Sequence, residues 1–387
     1  MNRAAGAWLA LAALLAGLLA GCAVAPPRPL PAAVAPVVPR LHEVAWNELP
    51  GWQEDDLLAV WPAWLADCSV MRMRPAWRPA CDAAARLEPS SRDAVAAYFQ
   101  TWFSPWQSLQ PDGAAQGLIT GYYTPLLHGS LKREPPYVVP LYAQPHDLLT
   151  VDLASVYPEL KGKRLRGRLQ GDRVVPYWSR AQIDADPQLL AGNELVWVDD
   201  PMAAFFMQIQ GSGQVELPDG QQLTLGYANQ NGFPYRAIGK LLVERGELPA
   251  SQVSMQSIRA WGKAHAQELP SVLAGNPAYV FFRRLQGLPP GAMGIPVVAG
   301  RSIAVDPRAL PLGAPVWLST RQPNGDASLN RLVLAQDTGG AIRGNVRADL
   351  YFGLGDAAGE QAGVMRQPGS LWVLLPKPVS ASGLVRR

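Results

Sequence analysis

The spacing of apolar residues changes along the chain from a helical period to short runs between turn residues. The run Glu54–Cys68 is amphipathic at helical spacing, and Ser90 with Asp93 resembles a capping box before a helix over Ala94–Phe103. The region 41–110 is therefore predicted to be helical. Two more helices are predicted: Pro234–Glu244, followed by Gly246, and one that Ser251 caps and that runs to about Glu268.

From about Gly117 the pattern is typical of a sheet or barrel. Short apolar runs alternate with Pro, Gly, Asn and Asp, and strand-like texture returns from Tyr279 to Leu375. The predicted fold class is mainly β with some α. The predicted strands are Leu118–Tyr123, Tyr137–Tyr142, Val174–Trp178, Glu194–Val198, Phe205–Gln210 and Leu223–Tyr227.

The first 40 residues read as an export signal and a tether. Ala4–Ala20 is almost purely Ala, Leu and Gly, and Leu19-Ala20-Gly21-Cys22 matches a bacterial lipobox. We therefore predict a lipoprotein signal peptide over 1–21 and lipidation of Cys22. Residues 22–40 form the acylated Cys and a Pro-rich tether with six Pro. Ala23 after the Cys predicts an outer-membrane lipoprotein facing the periplasm of a Gram-negative bacterium.

Composition narrows the function classes. The 387 residues carry 34 basic and 31 acidic side chains, a net charge of +3, with no basic stripe, so we expect no nucleic-acid partner. The four His are scattered without ligand spacing, so no metal site is predicted. Nothing else in the sequence indicates a cofactor. Seven of the 13 Trp fall in 41–110, where helical spacing favours core positions over ligand contacts.

Two further cysteines, Cys68 and Cys81, lie in the helical region. An exported chain permits a disulfide between them, and a pair of buried thiols is the alternative.

Three aspartates in glycine-rich settings carry the candidate chemistry. Asp306 precedes Pro307, Asp337 begins Asp-Thr-Gly-Gly, and Asp349 lies twelve residues further on. Because Gly lets a bulky ligand approach the backbone, these carboxyl groups suit proton transfer at a sugar linkage. The alternatives are turn stabilisation by each Asp, and an aspartic-protease dyad, which a homodimer alone could complete.

Several motifs together resemble one family of cell-wall enzymes. Gly121-Tyr122-Tyr123-Thr124-Pro125, the segment Trp197–Pro201, Gln208-Ile209-Gln210-Gly211-Ser212-Gly213 and the run Gly226–Gly239 appear in the order of the membrane-bound lytic transglycosylase A (MltA) family. The three aspartates resemble its C-terminal three-aspartate module. The resemblance covers about Gly121–Leu375, and the segment before residue 110 carries no comparable motif.

The resemblance implies both fold and reaction. The family pairs a double-psi β-barrel with a smaller β domain and holds glycan in a groove between them. The barrel would combine 41–110 with 245–380, and 111–244 would be the inserted domain. Members cleave the β-1,4 bond between N-acetylmuramic acid and N-acetylglucosamine in peptidoglycan without water, forming 1,6-anhydromuramic acid ends. The implied class is a peptidoglycan exotransglycosylase, a lyase, with exo versus endo cutting and peptide-stem preference left open.

The family match assigns roles to single residues. Asp349 is predicted to be the acid and base, with Asp337 and Asp306 as catalytic second choices that orient the acid or hold the groove. The substrate-binding candidates are aromatic, amide or hydroxyl side chains suited to sugars. They are Tyr122, Tyr123, Thr124, Gln208, Gln210, Ser212, Tyr227, Asn231 and Tyr235.

Two other classes stay open from the sequence. One is a non-catalytic, expansin-like wall-binding protein. The other is a peptidoglycan glycoside hydrolase, which needs a second carboxylate, with Asp199, Asp200 or Asp356 as candidates. The expected partners are peptidoglycan glycan strands, the outer membrane through Cys22 and other wall-synthesis proteins, with the protein itself a monomer.

Overall fold

The computed structural model describes residues 39–163 and 165–378. The predicted signal peptide, Cys22 and the tether up to residue 38 lie outside these residues. The described residues form seventeen strands and nine α-helices. The strands are β1 Leu41–Glu43, β2 Phe103–Ser108, β3 Gly117–Thr124, β4 Leu126–Ser130, β5 Val139–Tyr142, β6 Leu149–Thr150, β7 Arg166–Gln170, β8 Arg173–Pro176, β9 Glu194–Val198, β10 Ser212–Glu216, β11 Gln222–Gln230, β12 Val280–Leu285, β13 Ser302–Val305, β14 Pro315–Arg321, β15 Ser328–Asp337, β16 Arg347–Leu354 and β17 Arg366–Pro376.

The helices lie at five places between the strands. They are α1 Trp61–Met71, α2 Arg78–Ala84, α3 Arg92–Trp102, α4 Arg180–Ala185, α5 Pro201–Gln210, α6 Ile238–Glu244, α7 Met255–Ala264, α8 Leu269–Ala274 and α9 Gly355–Val364. Short 3-10 turns precede or link several of them. Among the described residues, no helix is long and apolar enough to cross a bilayer.

Six strands close into a barrel. The order β17-β14-β15-β13-β16-β3 returns to its start because β3 also pairs with β17, and β2 and β1 extend the sheet beyond β17. The β13–β15 and β16–β3 pairs are parallel and the others antiparallel. This closed, mixed sheet and a second, six-stranded sheet in the order β12-β11-β10-β4-β9-β5 agree with the predicted fold class.

The sheet boundaries differ from the predicted domain boundaries. Strand β3 lies inside the predicted insertion 111–244 but belongs to the barrel, and β12 lies inside the predicted barrel segment 245–380 but pairs with β11 of the second sheet. The chain therefore leaves the barrel sheet after residue 124, and until residue 285 it supplies the second sheet and a separate three-stranded sheet, β6-β7-β8. Pairing between strands far apart in the chain determines the sheet to which β3 and β12 belong. Local apolar patterns give no information on such pairing.

The barrel core continues into the N-terminal helices. Trp52, Trp61, Trp64 and Trp77 are buried, and Trp64 packs within 6 Å of Phe99 and Phe103, at centroid distances of 5.9 and 5.7 Å. The remaining three tryptophans of this region are partly buried against the same core, in agreement with the prediction that they are core residues. A disulfide joins Cys68 of α1 to Cys81 of α2.

Several predicted elements need correction. Residues 205–210, predicted as a strand, belong to helix α5. Asp200 caps this helix by accepting a 2.7 Å hydrogen bond from the Met202 N–H, Pro201 occupies its first turn, and Gly211 ends it at φ +82°. These end signals outweigh the β propensity of the phenylalanines.

Helix starts also shift by a few residues. Ser91, not Ser90, caps α3 by accepting from the Ala94 N–H, and Ser254, not Ser251, caps α7. The predicted helix over 54–68 begins as a 3-10 turn at Leu57–Val60 and becomes α-helical at Trp61. Strand β2, helix α4 and helix α9 lie where the pattern did not indicate them. Strand β9 has the predicted bounds.

Candidate active site

Two carboxyl groups lie in one row across the barrel. Asp337 ends β15 and Asp349 lies in β16, and Ala304 of β13 is the register partner of both. Thr120 of β3 extends the row on the far side of Asp349. Since adjacent strands lie about 4.8 Å apart, the Cα atoms of the two aspartates are roughly 10 Å apart. Between them in the row lies Ala304, whose side chain is only a methyl group.

The row faces a cavity of about 590 Å³. Asp337 and Asp349 line it from the barrel, together with Tyr122 and the loop that follows Asp337. Among the described residues that line this cavity, these two are the only acids. The barrel therefore presents a pair of carboxyl groups to a space of the size that small ligands and sugar units occupy.

Asp349 is held in conditions that favour its protonated form. Burial raises the pKa of its carboxyl group, and the charge of Asp337 raises it further. A hydrogen bond of 2.5 Å from the Thr120 hydroxyl and the charge of Arg347 act in the opposite direction. The net effect is a pKa above the usual aspartate value, as a general acid requires.

Asp337 is fixed by backbone donors. Its Oδ1 accepts hydrogen bonds from the Ala292 N–H at 3.0 Å and the Thr338 N–H at 2.8 Å. Burial raises its pKa, while these two bonds and the nearby Tyr122 lower it. The buried Tyr122 hydroxyl makes no hydrogen bond of normal geometry, although it lies close enough to Asp337 to influence its pKa. Burial and the charges of both aspartates in turn raise the pKa of Tyr122.

Asp306 does not line the cavity. Its buried carboxylate accepts two hydrogen bonds from the Arg308 guanidinium, at 2.9 and 2.8 Å, and one from the Gly344 N–H at 3.0 Å. Burial alone would raise its pKa, but the bonds from Arg308 and Gly344 outweigh this and lower it to about 2. Through its hydrogen bond from Gly344, Asp306 thus fixes the far end of the loop that begins at Asp337.

The second wall of the cavity comes from the other sheet and from helix α5. Gln208 and Gln210 at the end of α5, Ser212 at the start of β10, and Tyr227 of β11 all line it, as does Tyr235. Tyr227 and Tyr235 keep 39% and 50% of their surface exposed. Six of the nine predicted substrate-binding residues, these five and Tyr122, therefore border the cavity.

The remaining three predicted binding residues have structural contacts instead. Tyr123 is buried against α9, and the Thr124 hydroxyl lies 2.8 Å from the Tyr351 hydroxyl. The Asn231 side chain donates to the Trp178 and Pro277 carbonyls and accepts from the Tyr279 N–H, all at 2.9 Å. These three motif residues therefore support the structure around the cavity, and they do not line it.

The sequence did not indicate several lining residues. Arg180 and Arg283 line the cavity, and Gln230, Asn276 and the turn Pro289–Ala292 do as well. Arg180 begins a six-residue helix in a segment without a motif, and its partners lie 28 to 98 residues away. No group of three His, Cys, Asp or Glu in the described part of the chain is placed to hold a metal ion.

Comparison with known proteins identifies the family. The model of the MltA-specific insert domain matches residues 118–283, and that of the 3D domain matches residues 301–375. Membrane-bound lytic murein transglycosylase A of Escherichia coli K12 is 35% identical over 282 residues, which cover 70% of this chain and 69% of that protein. The chain belongs to the MltA family.

Solved structures support the same assignment. The lytic transglycosylase LtgG of Burkholderia pseudomallei is 44% identical, with a TM-score of 0.61 over 89% of this chain and 99% of that chain. The E. coli MltA structure with bound chitohexaose is 26% identical, with a TM-score of 0.66 over 89% of this chain and 94% of that chain.

Proposed function

We propose that this protein is a lytic murein transglycosylase that cleaves peptidoglycan glycan strands in the cavity between the barrel and the second sheet. The observation that carries the proposal is the row Asp337–Ala304–Asp349, in which two carboxyl groups with raised pKa values face a polar and aromatic wall. Family membership supplies the reaction class. The relative with bound chitohexaose supports a β-1,4-linked amino-sugar chain as the ligand.

In this proposal one carboxyl group performs both proton transfers. Protonated Asp349 donates its proton to the glycosidic oxygen as the bond to C1 of N-acetylmuramic acid breaks, and the N-acetylglucosamine end leaves as an alcohol. The C6 hydroxyl of the muramic acid then attacks C1, and its proton passes to the Asp349 carboxylate. The acid is restored, a 1,6-anhydro ring is formed, and no water is consumed.

Asp337 has a supporting role in this scheme. Its negative charge raises the pKa of Asp349, which keeps that group protonated nearer neutral pH. Its backbone hydrogen bonds from Ala292 and Thr338 hold two loops of the cavity wall in place. Asp306 belongs to the scaffold, because its carboxylate is occupied by Arg308 and Gly344.

A hydrolase would use a second carboxylate to activate water. Of the candidates from the sequence, Asp200 caps α5, and neither Asp199 nor Asp356 borders the cavity. Among the described residues that line the cavity, Asp337 is the second carboxyl group beside Asp349 and so the candidate for that role. Its two backbone donors favour a fixed, orienting role over that of a mobile base.

The products of digestion decide between these reactions. We expect purified sacculi to yield muropeptides lighter by one water than reducing-end products, and Asp349→Asn to abolish them. Asp356→Asn is the matched control, since Asp356 is an exposed acid outside the cavity. Reducing ends would indicate a hydrolase, and bound but uncut sacculi would indicate a wall-binding protein.

The cellular location is also proposed. The relative named membrane-bound supports membrane association, and the lipobox at Cys22 supports attachment by acyl chains to the outer membrane, with the enzyme facing the periplasm. Fractionation of cells that express the full chain, beside Cys22→Ser, tests this. The wild type should partition with outer membranes and the variant should be released in soluble form.

A further inference from the structure

The wall opposite the two aspartates carries cations that have no ionic partner. Arg180 and Arg283 both line the cavity. Among the ion pairs of the described residues, none includes either guanidinium group. One wall of the cavity is thus acidic and the opposite wall is basic.

Arg180 is held rigidly and only 4% exposed. Its Nε donates to the Asn276 carbonyl at 3.2 Å, and its Nη2 donates to the Ala278 carbonyl at 2.9 Å and to the Gln208 side chain. The rings of Phe205 and Tyr279 lie on it, each with its centroid 4.8 Å from Cζ. The guanidinium plane is therefore fixed before any ligand arrives.

One edge of this guanidinium group remains available. Nη1 of Arg180 makes no hydrogen bond to any described residue, and it is not among the buried atoms that lack a partner. Asp184, one turn further along α4, acts on Arg180 through its charge, but it is exposed and forms no ion pair with it. Burial lowers the pKa of Arg180, and the charge of Asp184 and the hydroxyl groups of Tyr279 and Tyr235 offset this only in part. A buried cation without an anion is costly, so an anionic ligand would relieve that cost.

Arg283 supplies a second, exposed cation on the same wall. It lies in β12 opposite Gly226 of β11, and both residues line the cavity. The Leu285 side chain packs over Gly226, within 2.5 Å of where a Cβ at that position would lie. Its neighbour Arg284 lies on the other face of the strand, outside the cavity, and donates to the Leu195 carbonyl at 3.0 Å.

We propose that Arg180 and Arg283 form a carboxylate-binding site that recognises the acidic substituent on the muramic acid residues of the glycan. This proposal rests on the proposed function and narrows its substrate. Arginine suits the role because its planar fork matches a carboxylate. The carboxylate has two sources in peptidoglycan: the lactyl group of strands without peptide, and the acidic residues of attached peptide stems. A chitin oligomer has the same backbone and neither acid.

Binding to intact strands tests the site independently of cleavage. The full-length lipoprotein in detergent micelles, carrying Asp349→Asn, is titrated with stem-bearing strands, with amidase-trimmed strands, and with both after their carboxyl groups have been converted to neutral methylamides. We expect neutralisation to weaken binding about tenfold, as is typical for loss of a charged hydrogen bond. The preference should shrink at high salt. If neutralisation weakens the binding of trimmed strands, the lactyl carboxylate is the ligand. If it weakens the binding of stem-bearing strands alone, the ligand is an acidic residue of the stem.

Three variants assign the effect to the two arginines. Arg283→Gln should lose about tenfold in affinity for charged strands and little for neutralised strands or chitohexaose. Arg180→Lys, which keeps the charge but not the fork, should lose part of the preference. Arg284→Gln is the matched control and should behave like the parent.

Three results would overturn the proposal: equal binding of charged and neutralised strands, an equal loss on both with Arg283→Gln, or a comparable loss with Arg284→Gln. Failure of the wild type to form anhydro ends would instead contradict the proposed reaction, because the charge preference is measured without turnover.

Discussion

Thr120 and Asp349 are register partners across the parallel pair β3–β16, and the Thr120 hydroxyl donates a 2.5 Å hydrogen bond to Asp349 Oδ1. This bond stabilises the carboxylate and lowers the pKa of Asp349, against the larger effect of burial, which raises it. The proposed acid is thus adjusted by a hydroxyl group on a neighbouring strand. The family motif that begins at the next residue, Gly121, therefore lies on the strand that pairs with the strand of the acid.

Replacing Thr120 by Val should raise the pKa of Asp349. The hydrogen bond that favours the charged form is lost while the shape is nearly kept, so Asp349 stays protonated to higher pH. We expect the alkaline limb of the pH profile of kcat/KM to move to higher pH. Thr120→Ser keeps the hydroxyl and should leave the limb in place. A limb that stays still in Thr120→Val, or moves to lower pH, would exclude Asp349 as the titrating acid.

Replacing Asp337 by Asn should shift the same limb in the opposite direction. The charge of Asp337 raises the pKa of Asp349, and the amide removes that charge. The Asn oxygen can still accept from the Ala292 and Thr338 N–H groups, so the loops are expected to stay in place. We expect the alkaline limb to move to lower pH and the rate near neutral pH to fall. Abolished activity at every pH would instead assign Asp337 a direct chemical role.

The sequence predicted the acidic side of the site better than the opposite side. Asp337 and Asp349 lie in one local glycine-rich module, so motif reading found both without knowledge of the barrel. Arg180 carries no such signal, because Gln208 and the carbonyls that hold it belong to segments far away in the chain. Burial and long-range contacts give this arginine its significance, and neither can be read from spacing.

In one element, the composition of the sequence and the residues at its ends predicted different secondary structures. The apolar run at Phe205–Gln210 suits a strand by composition, yet Asp200, Pro201 and Gly211 define a helix of ten residues at its ends. Reading these end signals would have corrected the prediction. For Asn231 the motif position was informative, but the side chain is 1% exposed and serves the backbone around it. A match to a family motif therefore does not show whether a residue contacts the ligand or packs inside the protein.

Asp306→Asn should destabilise the protein without removing the acid. The pKa of Asp306 is lowered to about 2, from a usual value of 3.8, so the folded state gains stability from its charge. The difference corresponds to about 2 kcal/mol in the free energy of unfolding at neutral pH. This contribution is present above pH 3.8 and is lost as the pH falls towards 2.

Chemical denaturation of wild type and Asp306→Asn at several pH values measures this. The two should differ at pH 7 and converge as the pH falls below 4. Asp326→Asn, which breaks an exposed pair with Arg321, should match the wild type throughout because solvent screens that pair. A constant difference at all pH values would show that shape, and not charge, accounts for the effect of Asp306.

Ionisation of Asp67 has the opposite effect on stability from ionisation of Asp306: it destabilises the folded state. This buried residue of α1 accepts a 2.6 Å hydrogen bond from the Gln336 amide, next to Asp337, and its second oxygen has no partner. Burial raises the pKa of Asp67 to about 7, against the smaller effect of the Gln336 bond. The folded state therefore favours the protonated form. Its stability is fully present below pH 3.8 and falls as the pH rises from there to about 7.

Asp67→Asn should consequently stabilise the protein at alkaline pH. Asparagine keeps the oxygen that accepts from Gln336 and cannot become charged, so the penalty of a buried carboxylate is removed. At pH 8 we expect a gain of up to about 4 kcal/mol in the free energy of unfolding, vanishing below pH 4. Denaturation of both proteins across this range tests it, with Asp82→Asn on α2, part of a surface pair with Arg72, as control. If Asp67→Asn were less stable than the wild type at pH 8, the ionised carboxylate would have to stabilise the fold, and the helix α1 would depend on that charge to hold Gln336 and the strand that ends in Asp337.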